Sequence, residues 1–198
     1  MQVLSRQFYN RDTLQVSREL LGKLLVRVLP DGTKLVCRIT ETESYIGRCD
    51  KACHAYGYKR TARTETLFAR PGTAYIYLIY GMYFCLNFVT EEEGEPAAVL
   101  IRGAVPVKNG DIIAENRFGC KMEDMTPYQR KNFLNGPGKL CRGLNLTRSE
   151  NGLDLLGQEL YVCDAPLPDP GTVRIGKRIG IDYAEEAVDF PWRFWLEE

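Results

Sequence analysis

Two carboxylates, Glu41 and Glu43, stand two residues apart in Thr40-Glu41-Thr42-Glu43-Ser44-Tyr45. In an extended chain, side chains at i and i+2 share a face, so the two acids point the same way. Such a pair either ends a solvated strand or activates a water molecule, and the second role needs a cation to hold the water and balance charge. Arg102 is the candidate partner, because it interrupts the apolar run 97–105, where a charge is costly unless paired. A buried structural ion pair fits the same pattern.

A metal site is the next chemistry to test. Cys49-x3-Cys53-His54 is the one ligand-like cluster, and it lacks the second closely spaced pair that zinc sites use. No metal is expected. His54, the single histidine, is either a structural histidine or a working one in a loop beside basic residues. The densest aromatic stretch is Thr73-Ala74-Tyr75-Ile76-Tyr77-Leu78-Ile79-Tyr80-Gly81-Met82-Tyr83-Phe84. Tyr75 and Tyr77 share a strand face, while Tyr80 and Met82 flank a turn at Gly81 and Tyr83 follows it. An amphipathic core strand explains Tyr75 but not large side chains at a hairpin tip. Apolar wedges enter stacked bases, and tyrosine faces stack on a base held outside the helix. Lys59, Arg60 and Arg63, with Thr61, and the helix-opening Gly136-Pro137-Gly138-Lys139 are candidate phosphate contacts.

These residues need elements to position them. Asp12 caps a helix that stops at Gly22, and strands over 23–29 and 33–42 turn at Pro30-Asp31-Gly32. A loop covers 46–63 and a short helix 64–69. Strands follow at 73–80, 83–89 and 97–105, helices at 109–118, 126–134 and from 136, and strands at 158–163, 172–181 and 190–196. Short turns rather than crossover helices join neighbouring strands. The expected fold is α+β: a single compact domain over 1–198, with a curved, mainly antiparallel sheet, flanking helices and a protruding β-hairpin.

With 198 residues, 44% hydrophobic and 26% charged, the chain has enough apolar material for one real core, which excludes wholesale disorder. Net charge is zero, yet residues 1–90 carry 13 basic and 7 acidic side chains, so one basic face is possible. Seven cysteines without a disulfide-framework spacing point to reduced thiols in a cytoplasmic protein. The N-terminus lacks the apolar core of a signal peptide, and the strongest apolar stretch, 74–89, is too short and polar to span a bilayer.

The segments Arg38-Ile39-Thr40-Glu41-Thr42-Glu43-Ser44-Tyr45-Ile46-Gly47, Arg70-Pro71-Gly72 running on through the tyrosine-rich stretch to Asn87, and Asn135-Gly136-Pro137-Gly138-Lys139-Leu140-Cys141 closely resemble the alkyladenine (3-methyladenine) DNA glycosylase family. Order and spacing hold from about residue 5 to the C-terminus. The loop 56–64 and the acidic stretch Glu91-Glu92-Glu93-Gly94-Glu95 depart most from the family pattern.

The resemblance implies a monofunctional base excision repair enzyme, a monomer without a cofactor, acting on double-stranded DNA that contains damaged purines. Glu43 would be the general base, Arg102 would help hold the attacking water, and the main-chain carbonyl of Ile179 would complete its cage. Tyr45, His54 and Tyr77 would sandwich the flipped base, the His54 amide would read its edge, and Asn87 would clash with the amino group of guanine. Tyr80 would fill the gap in the duplex, with Met82 and Tyr83 beside it. Lys59, Thr61, Arg63 and Lys139 would contact the DNA backbone. The competing reading is a non-catalytic nucleic-acid binding module that uses the same tyrosines as stacking platforms. A buried carboxylate beside Arg102 separates the two, because a binder has no need of one.

Overall fold

The computed structural model describes residues 2–167 and 173–197. Its sequence begins with two short helices, α1 (Arg6–Tyr9) and α2 (Thr13–Glu19), and two strands, β1 (Leu24–Val28) and β2 (Lys34–Ile46). The hairpin β3 (Ala74–Ile79) and β4 (Tyr83–Val89) and the long β5 (Ala97–Lys108) follow. Helices α3 (Gly110–Phe118), α4 (Pro127–Lys131) and α5 (Pro137–Gly143) precede β6 (Leu160–Cys163), β7 (Val173–Gly176) and β8 (Arg193–Leu196). The eight strands form one sheet in the order β3-β4-β5-β2-β1-β6, with β8 added beside β2 and β7 beside β8. Every pairing is antiparallel. The α+β fold is the one expected.

Local chemistry accounts for the elements. The Asp12 side chain accepts the Gln15 N–H at 2.9 Å and so caps α2. The helix ends at Glu19, three residues short of the expected stop, and Gly22 takes a positive φ of 81° in the turn into β1. Leu20, Leu21 and Val16 are fully buried against the sheet with Phe88, Phe194 and Ile113, each contributing about 1.5–3 kcal/mol by leaving water. Thr126 and Gln129 form a capping box at α4, which stops at Lys131 rather than 134.

Strand β2 is the spine. It pairs with β5 along one edge; along the other it pairs with β1 through its first half and with β8 at Glu41–Glu43. The sequence pattern ends this strand at Thr42, but pairing with β5 carries it on to Ile46, opposite Ala97. Glu43 and Tyr45 therefore sit inside a strand rather than past its end. Register shifts around Glu41 bend the strand where the carboxylates stand, and such bulges re-aim side chains. Gly103 is opposite: a Cβ there would lie 3.2 Å from the Glu41 Cβ, so any larger residue would push the two strands slightly apart.

Two other expectations are corrected. The segment 64–69 is a 3-10 turn, Glu65–Phe68, rather than an α-helix. The strand expected over 172–181 is short, Val173–Gly176, and its expected first residue, Thr172, lies outside the described residues. Residues 177–181 are loop, which frees their amides from any ladder. All seven cysteines are free. Among the described residues no helix is long and apolar enough to cross a membrane.

Candidate active site

Glu43 has no exposed side-chain surface. Its Oε1 accepts the Ile179 N–H at 2.8 Å and stands 3.4 Å from Arg102 Nε, while its Oε2 accepts the Tyr45 hydroxyl at 2.8 Å. Burial pushes the Glu43 carboxyl above the ordinary carboxylate range; the Arg102 guanidinium, the Ile179 amide and the Tyr45 hydroxyl pull it part of the way back. The result is a carboxylate with raised affinity for a proton, held in one orientation. Glu41 is differently committed. Its Oε1 is 3.0 Å from Arg102 Nε and 2.6 Å from Arg193 Nε, so two guanidinium groups occupy it. Both acids meet Arg102, as the i, i+2 spacing requires, and Glu41 serves to fix that arginine.

Arg102, Ile179 and Tyr45, which cover Glu43, also line a cavity of about 670 Å³. His54, Tyr75, Tyr77 and Asn87 form more of its wall. The His54 ring meets Tyr77 edge-on, with centroids 4.6 Å apart, and Tyr75 lies 5.3 Å from Tyr77. His54 Nδ1 is 3.2 Å from the Tyr75 hydroxyl, and the Arg63 guanidinium lies 3.4 Å from Nε2. Arginine only donates, so Nε2 accepts and Nδ1 carries the hydrogen. Burial and then Arg63 lower the His54 pKa to about 4, which keeps the ring neutral. The His54 main-chain N–H has no acceptor among the described residues. Asn87 is buried, and its amide nitrogen donates to the carbonyls of Tyr75 (3.1 Å) and Cys85 (3.3 Å), which makes it a rigid piece of wall.

The hairpin tip stands beside this cavity. Tyr80 is 78% exposed and Met82 66%, so neither is core. Tyr80 and Gly81 both have positive φ, 52° and 67°, and the Met82 N–H closes the turn on the Ile79 carbonyl at 3.2 Å, the pattern of a tight hairpin turn. Tyr83 lines the cavity and packs against Gly138 of α5, where a Cβ would lie 2.9 Å from its own. Lys59, Thr61 and Arg63 are exposed on the loop after His54, and Arg63 stacks over Tyr77 with its guanidinium carbon 5.3 Å from the ring centroid. Arg60 is committed to Glu65 by two hydrogen bonds. Lys139 Nζ is held by Asn132 Oδ1 at 2.8 Å and Asn135 Oδ1 at 2.9 Å. Among the described residues no three His, Cys, Asp or Glu side chains come together as a metal-ligand group. Cys49 is exposed, Cys53 is buried, and His54 turns to Tyr75.

A family model described as methylpurine-DNA glycosylase matches residues 7–198. The chain belongs to the methylpurine-DNA glycosylase family. A protein of Desulfitobacterium hafniense is 50% identical over 198 residues, covering 100% of this chain and 97% of its own length. One from Clostridium perfringens is 51% identical over 197 residues (98% and 96%), and one from Alkaliphilus oremlandii is 50% identical over 195 (98% and 96%). All three carry the name of candidate 3-methyladenine DNA glycosylases. The resemblance seen in the three sequence motifs is borne out. As a member of this family the chain is a hydrolase of N-glycosyl bonds in DNA and an enzyme of base excision repair.

Sequence reasoning missed one part of this candidate site. Arg178 and Asp50 form a fully buried ion pair, with a second contact at 2.8 Å between Arg178 Nη2 and Asp50 Oδ1. Arg178 also donates to the carbonyls of Ser44 (2.8 Å) and Ala187 (3.1 Å), and it stacks over Tyr45 and Trp192 at 4.7 and 5.1 Å. It thereby clamps the loop that presents the Ile179 amide and braces the ring that donates to Glu43. The partners lie 128 residues apart, so no local motif announces them. At Ile179 the N–H is the group placed on Glu43.

Proposed function

We propose that residues 1–198 act as one monomeric catalytic domain that flips an alkylated or deaminated purine from duplex DNA and hydrolyses its N-glycosidic bond without a covalent intermediate. Tyr45, His54 and Tyr77 hold the flipped base, the free His54 amide reads its edge, and the rigid Asn87 excludes the amino group of guanine. As the bond lengthens, positive charge grows on the sugar and the bonding pair leaves with the base. A water held by Glu43, Arg102 and the Ile179 carbonyl adds to the anomeric carbon, and its proton passes to Glu43. Alkylated bases are good leaving groups, and electron-rich rings such as Tyr77 favour a cationic base. Tyr80, with Met82 and Tyr83, fills the space left in the stack, while Lys59, Thr61, Arg63 and Lys139 meet the backbone. No metal or cofactor has a part in this scheme, and the working place of such an enzyme is the cytoplasm, or the nucleoid of a bacterium.

The observation that carries the reading is the buried Glu43, oriented by Arg102, Ile179 and Tyr45, which are themselves walls of an aromatic cavity. A module that only stacks bases has no use for it. Duplexes carrying 3-methyladenine, 7-methylguanine, hypoxanthine or ethenoadenine, scored for abasic sites, provide the test. Base release from at least one is expected. Tight binding to all four with no release would leave a stacking module in its place.

A further inference from the structure

The cavity has a wall where cations gather without a carboxylate partner. Arg117 of α3 and Lys139 and Arg142 of α5 all line it. Among the described residues none of the three has a carboxylate within ion-pair distance. Asn132 links two of them: its carbonyl accepts from Arg117 at 3.2 Å and its Oδ1 from Lys139 at 2.8 Å. Arg117 is further tied to the Phe133 carbonyl at 3.0 Å. Arg142 is exposed and makes no side-chain hydrogen bond among the described residues. Burial and Arg142 lower the Arg117 pKa, and burial and Arg117 lower that of Lys139, so Arg117 stands within the reach of both its neighbours' charges. Like charges gathered beside a cavity, with only neutral oxygens around them, focus a positive potential and call for an anion.

The hairpin decides which anion. Tyr83, just past its tip, packs on Gly138 of α5, so the tip and the cationic wall are one continuous surface. A duplex entered by Tyr80 would lay its backbone across α5.

We propose that Arg117, Lys139 and Arg142 form a phosphodiester clamp on the DNA strand entered by the hairpin, with Arg142 as its free hand. The clamp rests on the glycosylase reading for its substrate but brings in Arg117 and Arg142, which that reading leaves idle. It complements Lys59 and Arg63 on the loop after His54, so that cations from two separate segments grip the backbone. Phosphate contacts fix register and add sequence-independent affinity.

Salt dependence of binding tests it. Each phosphate neutralised adds about 0.9 to the slope of log K against log salt for duplex DNA. Arg142→Gln should lower the slope by about 1 on damaged and undamaged duplexes alike, and Arg142→Lys should restore it. Lys108→Gln, an exposed cation at the far end of β5, should leave the slope as in the wild type. An unchanged slope in Arg142→Gln, with its melting temperature intact, overturns the clamp. Excision by the wild-type protein is scored in parallel. Activity with an unmoved slope sinks the clamp alone, whereas a moved slope with no excision of any lesion upholds the clamp and sinks the glycosylase reading.

Discussion

In the proposed scheme the buried stretch Glu41–Tyr45 and the exposed tip Tyr80–Tyr83 divide the work of this molecule between them. In the first, both carboxylates are held: Glu43 by Ile179, Tyr45 and Arg102, and Glu41 by two arginines on its Oε1. Two strands, β5 and β8, flank it, and it has little freedom to adapt. The tip has a tyrosine 78% exposed at a positive φ that bulky residues rarely adopt, with few neighbours to enforce it. Chemistry at a sugar carbon demands a fixed base in a dry setting, where electrostatic interactions are strong. Entry into a base stack demands an apolar side chain that reaches out of the protein. Rigidity and reach are opposite requirements, and the fold meets them in different elements that share one cavity.

If that division is right, variants in the first region should strike stability and chemistry, and variants in the second should strike binding alone. The largest effect is expected at the brace behind the buried region. Asp50→Ala strands Arg178 without its partner and should cost about 3–5 kcal/mol, read from the denaturation midpoint. The apolar pair Asp50→Leu with Arg178→Met should recover much of the stability while excision stays slow, because the Ile179 amide and the Tyr45 ring are no longer pinned. Full recovery of rate with stability would make the pair merely structural.

Next is the base itself. Glu43→Gln keeps the shape but cannot take a proton, so the single-turnover rate should fall by at least ~10²-fold with lesion binding largely kept. Glu41→Gln should do less. The reverse ranking would exchange the roles of the two acids.

A smaller change should follow from the Tyr45 hydroxyl. In the proposed scheme excision requires ionised Glu43, so the rate should fall as pH falls through its pKa, which burial places above the ordinary carboxylate range. Hydrogen bonding from Tyr45 favours the ionised form, so Tyr45→Phe should shift this acid limb to still higher pH while stacking is kept. An acid limb unmoved in the variant would mean that the hydroxyl has no hold on the base.

The smallest effect on the fold is expected at the tip. Tyr80→Ser should change stability by no more than about 0.5 kcal/mol, as for other surface substitutions, yet weaken binding to duplex lesion DNA and spare single strands. A loss of about 3–5 kcal/mol, affecting both substrates equally, would return Tyr80 to the core.

What the sequence determined by itself is local. The shared face of Glu41 and Glu43, the shared face of Tyr75 and Tyr77, the Asp12 cap and the hairpin turn at Gly81 all follow from spacing within a few residues, and each is found in the structure. The family was legible too, because its motifs are continuous segments. The remainder depends on contacts between distant segments. The length of β2 was set by β5 beside it, Arg102 was secured by Arg193 through Glu41, and the loop carrying Ile179 was fixed by an ion pair spanning 128 residues. The cations at Arg117 and Arg142 belong to the half of the chain in which acids outnumber bases, 19 to 13, so composition hid them. Periodicity reports which way a side chain points along its own element. Which partner waits there is decided only when the chain closes on itself, because burial leaves a charge no stable place except beside its complement.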